Sequence, residues 1–206
     1  MNIVKIKYPI MDGNSYLLYW DERSAILIDA VPHSFEKVQQ ICKSLDKYVS
    51  HVLLTHGHID HMADAIKFQE RGAKIYIGYQ DRAMLHTDAN LSKRIGIKYE
   101  PTNADLFLKK GRYYINQHHV DVIETPGHSA GSVCFYIEGV LFTGDTLFKG
   151  TVGRTDFEDS DFSALMNSLK TLKDSYAPNI TIYPGHGGAT NLESELRFNP
   201  YFKDLC

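Results

Sequence analysis

The chain is poor in the features that would set it apart from ordinary globular proteins. Its 206 residues include only 3 cysteines, and Cys42, Cys134 and Cys206 are far apart and odd in number. That excludes a disulfide scaffold or a zinc ribbon and reads as reduced thiols, with Cys134 in the core of the alternating run Ser132 to Ile137. No stretch reaches the roughly 20 apolar residues of a membrane span, and the opening MNIVKIKYPIMDGNSYLLYW breaks at Pro9, Asp12 and Gly13, so it lacks a signal-peptide core. A cytoplasmic protein with no membrane partner is expected. An excess of one charge is also missing. The 22 Lys plus Arg and 25 Asp plus Glu leave a net charge of -3, which gives no cationic field for nucleic acid. Linkers rich in Pro, Gly or Ser, charge blocks and repeats are absent too, so residues 1-206 read as one domain.

What the chain does have is histidine, ten in all, of which five fall in three short stretches rich in Gly, Pro and Asp. These stretches follow apolar runs. Strands are expected over Asn2 to Lys7, Asn14 to Trp20, Ser24 to Asp29, Val49 to Thr55, Lys74 to Gly78, Arg112 to Ile115, Val120 to Thr125, Ser132 to Ile137, Val140 to Thr143 and Thr181 to Tyr183, the later ones joined by glycine-containing turns. Helices are expected after an N-cap at Ser34, over Met62 to Gln69, from Phe162 to Leu172 behind the cap Asp161, and near Glu193. Gln80 to Pro101 is polar and reads as a surface helical excursion. Strand runs with interspersed helices suggest an α/β fold built as an αββα sandwich, two sheets packed together with helices outside.

The densest signal is Thr55-His56-Gly57-His58-Ile59-Asp60-His61, which puts four metal-capable side chains in six residues between a strand and a helix. His56 and His58, two apart, can point the same way, while Asp60 and His61 can reach across to a second position. A solvated loop or a helix cap at Asp60 would explain one such residue but not this density. Three further stretches, Thr125-Pro-Gly-His128-Ser129, Phe142-Thr-Gly-Asp145-Thr146 and Tyr183-Pro-Gly-His186-Gly187, each end an apolar strand in a glycine turn that presents one metal-capable residue. Each alone would be a surface turn; together with the first cluster they supply five His and two Asp. Two ions of zinc type can be filled by this set, with His56, His58 and His128 on one, Asp60, His61 and His186 on the other, and Asp145 bridging. Zinc is the first expectation for the metals, with iron and manganese open.

This pattern resembles the metallo-β-lactamase fold superfamily, whose His-x-His-x-Asp-His motif is met by His56 to His61 and whose remaining ligand positions are matched in order by His128, Asp145 and His186. The resemblance covers essentially the whole chain and implies the same metal assignment. Within the superfamily, Thr125-Pro-Gly-His-Ser-Ala-Gly-Ser132, Phe142-Thr-Gly-Asp-Thr-Leu-Phe148, Gly153-Arg-Thr-Asp156 and Arg197-Phe-Asn-Pro200 resemble short bacterial glyoxalase II-like hydrolases. That likeness implies cleavage of a small-molecule thioester such as S-lactoylglutathione, with Asp60 and Asp145 among the catalytic residues. Full-length enzymes of that type continue past the equivalent of Asn199-Pro200 into a helical domain that grips glutathione, whereas this chain ends soon after. The bridging position is Asp145 rather than the cysteine or serine of many true β-lactamases, which argues against antibiotic resistance.

Two dications balanced by Asp60, Asp145 and a bridging hydroxide leave the inner site near +1, favouring an anionic tetrahedral intermediate. A thiol of pKa near 8.5 can leave without a strong general acid. Arg154 and Asp156 read as a loop ion pair, with Arg154 alternatively binding a substrate carboxylate; Lys149 and Tyr183 are further candidate substrate contacts. His118 and His119, adjacent on a strand, point to opposite faces and are not a metal pair, and His33, His51 and His86 read as ordinary surface or packed residues. The rival enzyme reading is a persulfide dioxygenase with one iron on His58, His128 and Asp145. A degenerate binding protein is opposed by the full ligand set, and RNA processing by the charge.

Overall fold

The structure is a computed structural model and describes every residue except 9, 10, 204 and 206. The break at Pro9 and the thiol of Cys206 therefore lie outside the described residues. The first sheet is β1 (Asn2–Tyr8), β2 (Gly13–Tyr19), β3 (Ser24–Ile28), β4 (Tyr48–Leu54), β5 (Lys74–Gly78) and β6 (Leu106–Leu108), side by side in that order. It is antiparallel through β3 and parallel beyond. In the second sheet β7 (Gly111–Ile115), β8 (His118–Glu124), β9 (Val133–Ile137) and β10 (Val140–Gly144) form an antiparallel run. The pair β11 (Leu147–Phe148) and β12 (Thr151–Val152) makes a ribbon of its own, and β13 (Thr181–Pro184), parallel to β10, and β14 (Thr190–Asn191) complete the second sheet.

Side chains that alternate along each strand explain the layers. On β3, Ala25 and Leu27 face an outer core with Val38 of helix α1 (Ser34–Ser44), while Ile26 and Ile28 face an inner core with Phe135 and Phe142 of the second sheet. On β9 and β10, Cys134 and Leu141 turn outward to Leu165 and Leu169 of a long C-terminal helix. The result is helix, sheet, sheet, helix, so the αββα expectation holds.

Three local expectations change. Ser34 is the first helical residue rather than the cap; His33 takes the cap position in a left-handed conformation, and the free N–H of Phe35 is met from outside the helix by Asp64 Oδ2 at 2.9 Å. The helix read over Met62 to Gln69 is two pieces, α2 (Ile59–Met62) and α3 (Ala65–Gln69). Their ladder is broken because the His61 carbonyl accepts from Ala30 N–H at 2.7 Å and Asp64 N–H donates to the Ala30 carbonyl at 3.0 Å. The turn between β7 and β8 is Asn116-Gln117, both at positive φ, with no glycine. The excursion after β5 is helical, with two short 3-10 stretches and α4 (Ser92–Ile95), but it buries Asp81, Leu85 and Asn90 and so is more than a surface feature. Two further helices, α5 (Phe162–Ser175), capped by Asp161 as expected, and α6 (Leu192–Phe198), close the second face.

Candidate metal centre

Strands β3, β4, β8, β10 and β13 all end on one edge of the sandwich, and the residues just past their carboxyl ends meet there: Asp29, His56 and His58, His128, Asp145, and His186. The two sheets are tied along this edge. Val133 N–H donates to the Thr55 carbonyl at 2.8 Å, Asn14 N–H to the Gly185 carbonyl at 2.8 Å, and the Tyr16 hydroxyl to the Pro184 carbonyl at 2.6 Å. The chain can turn this tightly because two positions carry no side chain. A Cβ on Gly144, where φ is +48°, would lie 2.5 Å from Thr55 Oγ1, and one on Gly185 would lie 2.2 Å from Asp145 Oδ1.

All seven residues expected as ligands converge here. One set is His56, His58 and His128, another is Asp60, His61 and His186, and within each set the candidate ligand atoms lie within 4.8 Å of one another. Asp145 stands between them, with Oδ1 3.3 Å from His61 Nε2 and Oδ2 3.4 Å from His128 Nε2 and 3.3 Å from His186 Nε2.

Four rings are oriented from behind. Nδ1–H donates to Thr55 Oγ1 from His56 (3.1 Å), to Asp29 Oδ2 from His61 (2.9 Å), to the Arg154 carbonyl from His128 (2.8 Å) and to the Met11 carbonyl from His186 (2.8 Å). Each then turns Nε2 inward, as ligating imidazoles do. Across the site, His58 Nδ1 faces His128 Nε2 at 2.9 Å and His61 Nε2 faces His186 Nε2 at 3.1 Å. Nitrogens about 2 Å from one tetrahedral ion would be about 3.3 Å apart, so these facing atoms are spaced as co-ligands. His56 Nε2 and Asp145 Oδ1 are buried with no hydrogen-bond partner, which a cation would supply. The residues fit the two-ion arrangement.

Charge divides the site in two. Burial, with neighbouring imidazoles, pushes His56 well below its ordinary value and His58 down to about 3. Burial acts against charge on His61 and His186 as well, but the carboxylates of Asp145 and Asp60, joined by Asp29 at His61, override it and raise them to about 9 and about 11. Burial likewise opposes the charge on Asp145, and His186, His61 and His128 outweigh it to hold the carboxyl well below the usual range.

The centre opens into a cavity of about 450 Å³ whose walls include Leu91, Ile95, Phe148, Val152 and Phe157. Arg154 lines it, with its guanidinium held by Asp156 through bonds of 2.6 and 2.5 Å, the loop ion pair expected. Lys149 and Tyr183 are not brought to it. Lys149 is at the exposed tip of the β11–β12 ribbon and lines a separate cleft with Thr190 and Phe198. Tyr183 is packed between Tyr16 and Phe142 in the inner core, because alternation on β13 sends Ile182 outward and Tyr183 inward.

Two residues that act behind the centre carry no distinctive signal in the sequence. Asp29 accepts from Thr55 N–H at 2.7 Å as well as from His61. Asp81, 1% exposed, accepts from Gly57 N–H (2.9 Å), Ser129 Oγ (2.6 Å) and Gly131 N–H (2.6 Å), and so fastens the loops of His58 and His128 to one carboxylate. Each is a lone Asp after a strand in the sequence, which signals only a turn. His118 stacks on Trp20 and His119 is exposed, as their strand parity implies.

Comparison with known proteins shows the family and agrees with the fold. The model of the Metallo-beta-lactamase superfamily matches residues 9–186, and the chain belongs to that superfamily. It is 31% identical to the hydroxyacylglutathione hydrolase GloC of Haemophilus influenzae over 98% of each chain. Among solved structures it is similar to the BLEG-1 B3 metallo-beta-lactamase (TM-score 0.88, 30% identity, 98% of this chain and 100% of that one). It is similar also to TTHA1623 in a di-iron-bound form (0.86, 29%, 96% and 99%) and to ETHE1 from Myxococcus xanthus (0.82, 26%, 97% and 84%). No helix among the described residues is long and apolar enough to cross a membrane.

Proposed function

We propose that this member of the metallo-beta-lactamase superfamily is a glyoxalase II-like thioesterase, cleaving an acyl thioester such as S-lactoylglutathione at a centre of two divalent ions. The observation that carries the reading is the pair of ligand groups joined by Asp145 at the floor of a partly apolar cavity. In this reading His56, His58 and His128 would hold one ion and Asp60, His61 and His186 the other, with Asp145, which stands between the two sets, available to both. Bound there, zinc, iron or manganese would supply a hydroxide at neutral pH and polarise the carbonyl under attack. The likeness to GloC supports the substrate class.

The chain's own residues set the rest. Among the described residues neither a serine nor a cysteine lines the cavity: Ser129 is bound to Asp81, and Cys134 is buried in the outer core, where burial pushes its thiol up to about 11. Water is therefore the nucleophile in this reading. Asp29 holds the His61 ring, the Arg154 carbonyl holds His128, and the apolar walls limit competing water. A thiol leaving group with pKa near 8.5 departs without a donor of its own, whereas an amine would need one.

The test is metal content per chain on protein purified without added metal, followed by S-lactoylglutathione hydrolysis and by oxygen uptake with glutathione persulfide. About two metals with thioester turnover and no oxygen uptake is the expected result. One iron with oxygen consumption would assign the protein to the dioxygenases and overturn the reaction.

A further inference from the structure

One wall of the cavity has no part in this chemistry. It is supplied by the excursion between β5 and β6, through Leu91, Arg94 and Ile95. Positions three and four apart share one side of a helical turn, so a single side of α4 and its preceding residue is turned to the site. Leu91 adopts a left-handed conformation, φ +68°, unusual for leucine. Asn90, fully buried, fastens it: Nδ2 donates to the Met84 carbonyl at 3.0 Å and Oδ1 accepts from Ser92 N–H at 2.9 Å. A strained residue held by a buried amide gives α4 a defined position over the cavity.

Two guanidiniums line the same cavity, in different states. Arg154 is occupied by Asp156. Arg94 has no carboxylate within 4.0 Å among the described residues; its neighbour is the Phe157 ring, 5.3 Å from the guanidinium carbon to the ring centre. That ring lies 5.1 Å from the ring of His58 and 5.7 Å from that of His128. Arg94 thus stands one aromatic ring away from the metal-ligand cluster, with Leu91, Ile95 and Phe148 as apolar surface beside it.

We propose that Arg94 binds a carboxylate of the substrate and makes the site selective for anionic acyl thioesters, the apolar face of α4 covering the stretch between that carboxylate and the scissile bond. A guanidinium is charged at every working pH and matches a carboxylate with two parallel donors. Its position over Phe157 restricts the orientations it would lose on binding. The inference rests on the thioesterase reading, and the experiment separates the two.

In the unaltered protein, Arg94→Gln and Arg94→Lys, kcat/KM is measured for S-lactoylglutathione, whose thiol carries two carboxylates, and for S-lactoyl-N-acetylcysteamine, which carries none. In parallel, S-hexylglutathione, a thioether that is not a thioesterase substrate, and its diethyl ester are titrated calorimetrically into the same as-purified proteins at low and high salt. The expected result is a preference of about tenfold or more for the compound that carries the carboxylates over its carboxylate-free counterpart in both assays. It should weaken with salt, fall to less than about twofold in Arg94→Gln, and be partly restored in Arg94→Lys. Arg94 is exposed, so the substitutions leave the core intact. A preference that survives in Arg94→Gln, or that is absent from the unaltered protein, overturns the role of Arg94 whatever the turnover. Binding that depends on Arg94 without hydrolysis of either thioester supports that role and overturns the thioesterase.

Discussion

The two halves of the metal centre are built from the same strand edge but differ in what they hold when no ion is bound. In the half made by His56, His58 and His128, His128 Nδ1–H donates to the Arg154 carbonyl and His58 Nδ1–H to His128 Nε2, so one hydrogen on each ring accounts for the contacts made, while His56 Nε2 and His58 Nε2 have no partner. In the half made by Asp60, His61 and His186, both Nδ1 atoms donate outward, to Asp29 and to the Met11 carbonyl, so the two Nε2 atoms facing at 3.1 Å leave room for one hydrogen between them. Asp60 and Asp145 lie 3.3–3.8 Å from those nitrogens, where their charge favours a proton on the pair. The carboxylates that would hold a cation tightly therefore hold a proton in its place, so this half has to exchange charge to load and the imidazole half only has to rearrange a hydrogen.

Removing the residue common to both halves should have the largest effect. Asp145→Ala is expected to lower thioester turnover by about three orders of magnitude or more and to deplete both ions, read by steady-state kinetics and elemental analysis. Retention of full activity would sink the site. Next, His58→Ala and His186→Ala should each lose one ion and keep the other, in opposite halves, which cobalt substitution and absorption spectra can distinguish; loss of both ions in either variant would mean that the halves do not load separately. Asp29→Asn, which leaves the fold's packing in place but weakens the hold on His61, should cost about 10–100-fold in affinity confined to the carboxylate half.

A pH titration sharpens the same contrast. The facing nitrogens of His61 and His186 share one hydrogen, and Asp145 and Asp60 raise both imidazoles above neutrality, so at pH 7 that shared proton competes with metal there. As pH falls from 9 to 6, affinity of the carboxylate half should drop about tenfold per unit, with about one proton released on loading. His58, at about 3, should impose no such loss on the other half. Proton release is measured by calorimetry in buffers of different ionisation enthalpy; equal pH dependence in the two halves would refute the assignment of the extra proton. The smallest effect belongs to residues that the fold turns away: Lys149→Ala and Tyr183→Phe should change kcat/KM by less than about twofold.

The ligands and the residues that support them were unequally legible in the sequence. Six residues from His56 to His61 announce themselves by density, and His128, Asp145 and His186 by the repeated strand-glycine-ligand wording. The layers followed from alternation, as on β3, where neighbours face different cores. Asp29 and Asp81 could not be read, because their importance lies in contacts to residues 26 and 50 positions away along the chain. The same is true of Asp64, which caps α1 across a gap of 29 residues. Tyr183 is no substrate contact for a reason the sequence does carry: the parity that puts Ile182 outside puts Tyr183 inside. Lys149 was misread because a two-residue ribbon carries too little periodicity to show which residue occupies its tip.

The bond from His186 to the Met11 carbonyl spans 175 residues, and Gly13 pairs with His186 across the two sheets. During synthesis the imidazole half and Asp145 are present long before β13 and His186 leave the ribosome, and the first hairpin must wait for them. Closing so distant a contact is slow compared with forming local turns. In the two-ion reading, metal uptake by the carboxylate half would mark completion of that long-range contact, and a nascent chain stalled before β13 would hold at most one ion.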